Sequence, residues 1–161
     1  MNKIGIADYG MNVYYGGMLD YEMRMEQLRA IGYDGAERLE PLDAADLVDK
    51  MTTLARLGMD FGTVRTAKAD LSIRWTAATG RKYVWINSPD TRDGMDALCR
   101  QANYLSDVCD KYNIVCGIHN HLGTPVQTQE ELEYFLSRCP RAGIVYDVGH
   151  MAVAGGDVTA I

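Results

Sequence analysis

The chain contains 161 residues, of which 47% are hydrophobic and 24% are charged, and its net charge at pH 7 is -6. This length and composition are typical of a globular domain with one sizeable core, and no stretch approaches the roughly 18 uninterrupted apolar residues that a membrane span needs. The acidic charge argues against a nucleic-acid partner, because phosphate binding requires a basic surface.

The cysteines and the N-terminus predict the compartment. Cys99, Cys109, Cys116 and Cys139 form no CxxC or zinc-ribbon spacing. Cys109 falls on the apolar stripe of a predicted helix and Cys116 in an apolar strand, so we interpret the cysteines as buried, reduced thiols. The N-terminus, MNKIGIADYG, enters a strand-like run without the apolar region of a secretory signal. We therefore expect a cytoplasmic protein with no membrane association.

Strand-like and helix-like patterns alternate along the chain. The strand-like runs are KIGIADYG (3–10), YDGAERLE (33–40), DFGTVRT (60–66), KYVWINS (82–88), NIVCGIH (113–119) and AGIVYD (142–147). Helical patterns fill the intervals, and the first three end at a glycine just before the next strand, at Gly32, Gly58 and Gly80. Asp43 is predicted to be the N-cap of the second helix.

The later helices have the strongest signals. An apolar stripe runs through Leu98, Ala102, Leu105, Cys109 and Tyr112. Thr128 and Glu131 have the spacing of a capping box, which opens a helix with Leu132, Phe135 and Leu136 facing inward. Asp157 follows a double glycine and predicts a further N-cap near the end of the chain.

This alternation predicts βαβ units with a parallel sheet, in either an open doubly wound sheet or a (β/α)8 barrel. No GxGxxG follows the first strand, which weakens the dinucleotide-binding version of the open sheet. A barrel needs eight strands and about 250 residues. We therefore predict a single α/β domain over residues 1–161 of the (β/α)8 TIM-barrel type, incomplete, with about six βα units and without the last two.

Polar residues follow the ends of the predicted strands. His119 and His121 end the fifth strand, and Asp147 and His150 end the sixth; these are the only three histidines in the chain. Asn87 ends the fourth strand. Functional residues of parallel α/β folds collect at the carboxyl ends of the strands. Imidazoles and carboxylates are the ligand set of a borderline divalent ion such as Mn, Co, Zn or Fe.

Each of these residues also has a structural interpretation. A turn at Gly123 can splay His119 and His121 apart, Asp147 can be a helix cap, and His150 can bond a loop carbonyl. The spacing alone leaves these alternatives open.

The second strand ends with two acidic residues. Glu37 and Glu40 differ in strand parity, so only one faces a barrel axis, and we favour Glu37 because it lies closer to the apolar run. Other residues that can line a pocket are Tyr9, Asn12, Trp75 and Trp85, although core packing is the better explanation for the tryptophans.

Three motifs carry a resemblance to a known family. GYDGAERLE (32–40) resembles its strand 2 pattern, IHNHLGTPVQTQEELEYFL (118–136) its strand 5 H-x-H-x-G-T segment, and IVYDVGHMAVAGGD (144–157) its strand 6 Asp-x-x-His segment. The family is the xylose isomerase-like barrel superfamily of sugar-phosphate isomerases and epimerases. The second motif is especially similar to the inosose dehydratase branch, and the third is also seen in endonuclease IV.

The resemblance implies a divalent ion, Mn, Co, Zn or Mg, at the barrel mouth, where it binds vicinal oxygens of a sugar or polyol. It also implies that Asp147 is a metal ligand. His119 stands where many epimerases have a glutamate that binds metal and moves a proton, and Asn87 where endonuclease IV has a histidine. We therefore predict Asp147, His119 and His150 as metal ligands, Glu37 and His119 as catalytic residues, and His121, His150 and Asn87 as substrate contacts.

The function expected from the resemblance is that of a metal-dependent sugar or sugar-phosphate isomerase or epimerase, which transfers a proton alpha to a carbonyl. An inosose dehydratase-like lyase is the nearest alternative, and a non-catalytic truncated barrel is another. The family's strand 7 histidine and strand 8 glutamate have no counterpart, which puts the activity of this chain in doubt. We expect association through open strand edges, as a homo-oligomer or with a complementing chain.

Overall fold

Strands and helices alternate along the chain in a computed structural model, which describes residues 3–7, 20–86 and 94–159. The strands are β1 (Gly5–Ile6), β2 (Gly35–Leu39), β3 (Asp60–Val64), β4 (Tyr83–Ile86), β5 (Val115–His119) and β6 (Gly143–Val145). The helices are α1 (Tyr21–Ile31), α2 (Ala44–Arg56), α3 (Ala69–Ala78), α4 (Gly94–Asp110), α5 (Gln129–Arg138) and α6 (Val148–Val153). None of these helices is long and apolar enough to cross a membrane, within the part of the chain described.

The chain divides into two compact units, Met1–Trp75 and Thr76–Ile161. Each unit contains a three-stranded sheet, in the order β1-β2-β3 in the first and β4-β5-β6 in the second. Every strand pair is parallel, which confirms the predicted α/β class. That residues 1–161 act as one domain stays a prediction.

In the first unit, apolar side chains of α1 and α2 cover one sheet. The core contains Met25, Leu28, Leu39, Leu47, Leu54, Met59, Phe61 and Val64. The predicted caps are confirmed: the Asp43 carboxylate accepts the Asp46 N–H, and Gly32 ends α1 in the left-handed region at a φ of 115°. Only glycine adopts that conformation without strain, so the glycine at position 32 determines where α1 ends.

In the second unit, α4 and α5 supply many of the buried side chains. Those fully buried include Leu98, Ala102, Leu132 and Phe135. The capping box between Thr128 and Glu131 is present at the start of α5, as predicted. Tyr112 departs from the predicted stripe, because α4 ends at Asp110 and this side chain is 41% exposed.

The sixth strand is shorter than predicted. Main-chain pairing ends at Val145, and Asp147 is the N-cap of the short helix α6, as one of the sequence alternatives for this residue allowed. The backbone turns here because the Asp147 carboxylate accepts the N–H of His150. β6 is an edge strand of its sheet, and association through that edge stays a prediction.

Candidate metal and substrate site

The ends of β5 and β6 bring a histidine against an aspartate. The parallel register pairs His119 with Val145, so that Asp147 lies just beyond the paired segment of β6. The Nε2 atom of His119 is 3.3 Å from Oδ2 of Asp147. This contact confirms that the two side chains lie in one place, as the strand ends predicted.

His150 joins this pair through the start of α6. Its backbone N–H donates to Oδ1 of Asp147 at 2.8 Å, and its Nε2 lies 3.9 Å from Oδ2. A Cβ atom at Gly149 would lie 3.2 Å from Oδ1, closer than most such contacts, so glycine leaves room for the carboxylate. Asp147 can therefore cap α6 with Oδ1 while Oδ2 faces the two imidazoles of the site.

His119, Asp147 and His150 are the candidate ligands of a metal ion. One donor atom from each lies within 4.8 Å of the other two. Their side chains are 21%, 37% and 28% exposed, so a ligand can reach them from solvent. Two imidazoles and a carboxylate are donors that a borderline divalent ion accepts, so the residues present fit such an ion.

His121 lies at the edge of the same cluster. Its ring centroid is 4.0 Å from that of His150 and 5.6 Å from that of His119, so the turn at Gly123 does not carry it away. Its Nδ1 is 2.7 Å from the carbonyl oxygen of Leu122. A carbonyl only accepts, so Nδ1 carries the proton, and Nε2 of the neutral ring is the acceptor.

Trp85 lines the site, contrary to the expectation that both tryptophans are core residues. Its ring meets the ring of His119 edge to face, with centroids 4.9 Å apart and an interplanar angle of 85°. Trp75 does pack against the core of the first unit. Trp75 lies on helix α3 and Trp85 on strand β4, and in both places an apolar pattern is compatible with packing in a core, so the sequence did not distinguish their roles.

The electrostatics favour the forms that bind metal. Burial lowers the pKa of His119, and this outweighs the opposing effect of Asp147. Burial alone would raise the pKa of Asp147, but the His150 N–H and the His119 side chain hold it below its ordinary value. A neutral imidazole beside an ionised carboxylate is the protonation state that metal binding requires.

Asn120 belongs to the site and was not predicted. It is completely buried, and its side chain bonds the backbone of Asp147 twice: Nδ2 donates to the carbonyl at 2.9 Å, and Oδ1 accepts the N–H at 2.7 Å. The sequence feature that could have indicated a role for Asn120 is its position between two histidines at the end of a strand.

The acids of β2 lie in the first unit. Glu37 forms an ion pair with Arg38, and Glu40 accepts hydrogen bonds from Arg38 and Arg65, each at 2.9 Å. Both acids therefore contact the Arg38 guanidinium: Glu40 has the same strand parity as Arg38, and Glu37 is its neighbour in the chain. The catalytic role of Glu37 stays a prediction.

Three candidate residues lie outside the described part of the chain. These are Tyr9, Asn12 and Asn87. The predicted substrate contact of Asn87 is therefore still a prediction.

The alternating fold and the histidine–aspartate site at the strand ends define a protein of the TIM-barrel type with a candidate metal centre. Residues 42–161 match the xylose isomerase-like TIM barrel family, and the chain belongs to that family.

Solved structures agree on the fold. A family 2 AP endonuclease from Brucella melitensis is similar with a TM-score of 0.76 at 13% identity, over 99% of this chain and 73% of that one. A 3-keto-D-glucoside 4-epimerase from E. coli has a TM-score of 0.73 at 13% identity, over 98% and 73%. A xylose isomerase-like TIM barrel protein from Mycobacterium smegmatis, in complex with magnesium, has a TM-score of 0.61 at 12% identity. That similarity covers 79% of this chain and 55% of that one.

Two curated relatives are inosose dehydratases. The proteins from Lactiplantibacillus plantarum and Bacillus velezensis are 35% and 37% identical to this chain over 68 residues. The matched segment is 41% of this chain and 23% of each relative.

Proposed function

We propose that the chain contributes a divalent-metal site to an enzyme that transfers a proton alpha to a carbonyl of a sugar or polyol. The observation that carries this proposal is the convergence of His119, Asp147 and His150 at the ends of two neighbouring parallel strands. Membership of the xylose isomerase-like family supports it. The similarity to an epimerase of known structure and to inosose dehydratases supports the substrate class.

In this proposal, Nε2 of His119, Oδ2 of Asp147 and Nε2 of His150 hold the metal ion. The ion supplies Lewis acidity toward an oxygen of the substrate. Because two of the three donors are imidazoles, we expect Mn, Co or Zn to bind better than Mg.

The other predicted residues are assigned to the substrate. His121 is exposed, and its Nε2 can accept a hydrogen bond from a substrate hydroxyl beside the metal ligands. His119 cannot be both a ligand and a base through the same nitrogen, so we assign its Nε2 to the metal. The catalytic role of Glu37, an acid of the first unit that forms an ion pair with Arg38, stays a prediction from the family resemblance.

Dehydration is the second candidate reaction. It begins with the same removal of a proton alpha to the carbonyl, after which the hydroxyl group on the neighbouring carbon leaves as water. The sequence matches to two inosose dehydratases favour it, whereas the structural neighbours include an epimerase. A non-catalytic chain that completes its site with another chain is the alternative to both.

The test is exchange of the alpha proton in heavy water. The purified chain, loaded with Mn²⁺, Co²⁺ or Zn²⁺, is incubated with a ketose or with inosose, and proton NMR follows loss of the alpha C–H signal. Ultraviolet absorbance follows formation of the unsaturated ketone that dehydration would produce.

Asp147→Asn and Asp110→Asn form the matched pair for this test. Asparagine is as good an N-cap as aspartate, so Asp147→Asn is expected to fold while losing the charge of the site. Asp110 forms an exposed ion pair with Arg141 in the same unit. We expect exchange to be lost in the first variant and kept in the second. Exchange that survives Asp147→Asn would refute the proposal, and metal binding without exchange would favour the non-catalytic alternative.

A further inference from the structure

The side chain of Asn120 occupies a different environment from those of its two neighbours. His119 is half-buried and His121 is exposed at the site, whereas Asn120 is fully buried. A buried amide needs partners for its donor and its acceptor, and Asn120 finds both on the backbone of one residue, Asp147.

These two bonds extend the pairing of β5 with β6 beyond its end. Main-chain pairing runs from Gly117 with Gly143 to His119 with Val145 and then stops. The carboxamide of Asn120 has the same donor and acceptor as a peptide group, and it pairs with the N–H and C=O of Asp147 at 2.7 and 2.9 Å. The backbone of Asp147 is thereby tied to β5, the strand that carries His119.

The carboxylate of Asp147 is then oriented by a second contact. Oδ1 accepts the N–H of His150, which leaves Oδ2 at 3.3 Å from Nε2 of His119 and 3.9 Å from Nε2 of His150. With the backbone held by Asn120 and Oδ1 held by His150, the position of Oδ2 is determined.

We propose that Asn120 is a positioning residue of the metal site, which sets the distance between Asp147 and His119 through the backbone of Asp147. This inference rests on the proposed function, since it takes Asp147 as a metal ligand. Other side chains do not replace it: aspartate lacks the donor, glutamine is one methylene longer, and serine leaves a buried backbone group unpaired. Partners that orient metal ligands typically change metal affinity by about 10–100-fold when mutated.

The experiment compares Asn120→Ser with Asn103→Ser. Asn103 is the matched control, because it also bonds a backbone carbonyl, that of Arg138, at 3.3 Å in the same unit. The affinity for Co²⁺ is measured by calorimetry, and folding by circular dichroism and urea unfolding. We expect Asn120→Ser to lose about 10–100-fold in Co²⁺ affinity while folded, and Asn103→Ser to keep the wild-type affinity.

A second variant tests the proposal if Asn120→Ser does not fold. Asn120→Gln keeps the amide but displaces it, so it too should weaken Co²⁺ binding. A folded Asn120 variant with wild-type Co²⁺ affinity would overturn the proposal. If neither variant folds while Asn103→Ser does, the role of Asn120 is structural and the proposal is wrong.

A metal-free measurement separates this proposal from the proposed function. Nitrogen-15 NMR of the chain without added metal reports the backbone N–H of His150 and the imidazole nitrogens of His119. We expect both to shift in Asn120→Ser and neither in Asn103→Ser; unchanged resonances would overturn the positioning role even if the wild-type chain binds no Co²⁺. If Asn120→Ser shifts these resonances and the wild-type chain binds Co²⁺ but exchanges no alpha proton, the proposed reaction is refuted and the positioning role of Asn120 stands.

Discussion

The Nε2 atom of His119 lies 3.3 Å from Oδ2 of Asp147, although 28 positions separate the two residues in the chain. The parallel pairing of β5 with β6 produces this contact, and the cap of α6 fixes the other oxygen of the carboxylate. The site therefore depends on strand register and on a helix start, and both can be tested.

Removal of the Asp147 carboxylate should weaken metal binding. We expect the chain to bind Mn²⁺ or Co²⁺ only weakly, because three donors converge among the residues that the structure describes, where the family resemblance implies more. Asp147→Ala should lower the affinity by roughly tenfold or more, since changes to outer partners alone cost about 10–100-fold. Calorimetry measures this, with Asp110→Ala as the control. Submicromolar affinity that Asp147→Ala leaves unchanged would place the site elsewhere.

Substitution of Gly35 should destabilise the first unit. Gly35 pairs with Gly5 on one side and Asp60 on the other, and an added Cβ would lie 2.2 Å from the carbonyl oxygen of Asp60. Forcing atoms into a packed site costs about 1–3 kcal/mol. Urea unfolding of Gly35→Ala should show a loss of this size.

Gly5→Ala is the control for that prediction. Its added Cβ would meet its nearest neighbour, the carbonyl oxygen of Gly35, at 3.6 Å, an ordinary contact. Equal unfolding midpoints for Gly5→Ala and Gly35→Ala would show that the strands separate at no cost, against this prediction.

Acid should remove a stabilising contribution of Glu40. Burial alone would raise the pKa of this carboxyl, but Arg38 and Arg65 together hold it below its ordinary value of 4.5. Because the unfolded chain then binds the proton more readily, the contribution is fully present above about pH 4.5 and is lost as the pH falls through the folded-state pKa. Glu40 is exposed, so salt should reduce the effect.

The measurement is urea unfolding of wild type and Glu40→Gln between pH 7 and pH 3. The difference in unfolding free energy should be largest at neutral pH and should shrink in acid. Asp49→Asn, an exposed change on α2 of the same unit, serves as the control. A difference for Glu40→Gln that stays constant down to the most acidic point would contradict the assigned ion pairs.

The thiols should be unreactive in the folded chain. All four cysteines are buried, with at most 5% exposure, so a reagent in solvent does not reach them. Burial raises the pKa of Cys139 to about 12, whereas hydrogen bonds with Cys109 and Ser106 lower the pKa of Cys116, so inaccessibility is the reason that all four share. We expect a disulfide reagent such as DTNB to titrate essentially no thiol in native buffer and four in guanidinium chloride. Tyr104→Cys, at a position that is 67% exposed on α4, should add one fast-reacting thiol as a positive control. Rapid reaction of the wild-type chain would contradict this prediction and show that the core around these cysteines opens readily.

Local features of the fold were predictable from the sequence. The end of α1 at Gly32 and the capping box of Thr128 and Glu131 depend on backbone angles and contacts within a few residues, which a short stretch encodes. The parallel class follows from alternating patterns, since parallel strands need a crossover between them. The strand-end rule likewise placed His119 and Asp147 together.

The contacts that shape the site were not predictable in this way. Two contacts, Trp85 against His119 and Asn120 on the backbone of Asp147, join residues that lie in different strands or just beyond their ends. Such distances depend on the register of β4, β5 and β6, which is set by how the whole sheet packs. A sequence pattern states which side chains can be buried, but the partner that each one meets is decided when the strands are aligned.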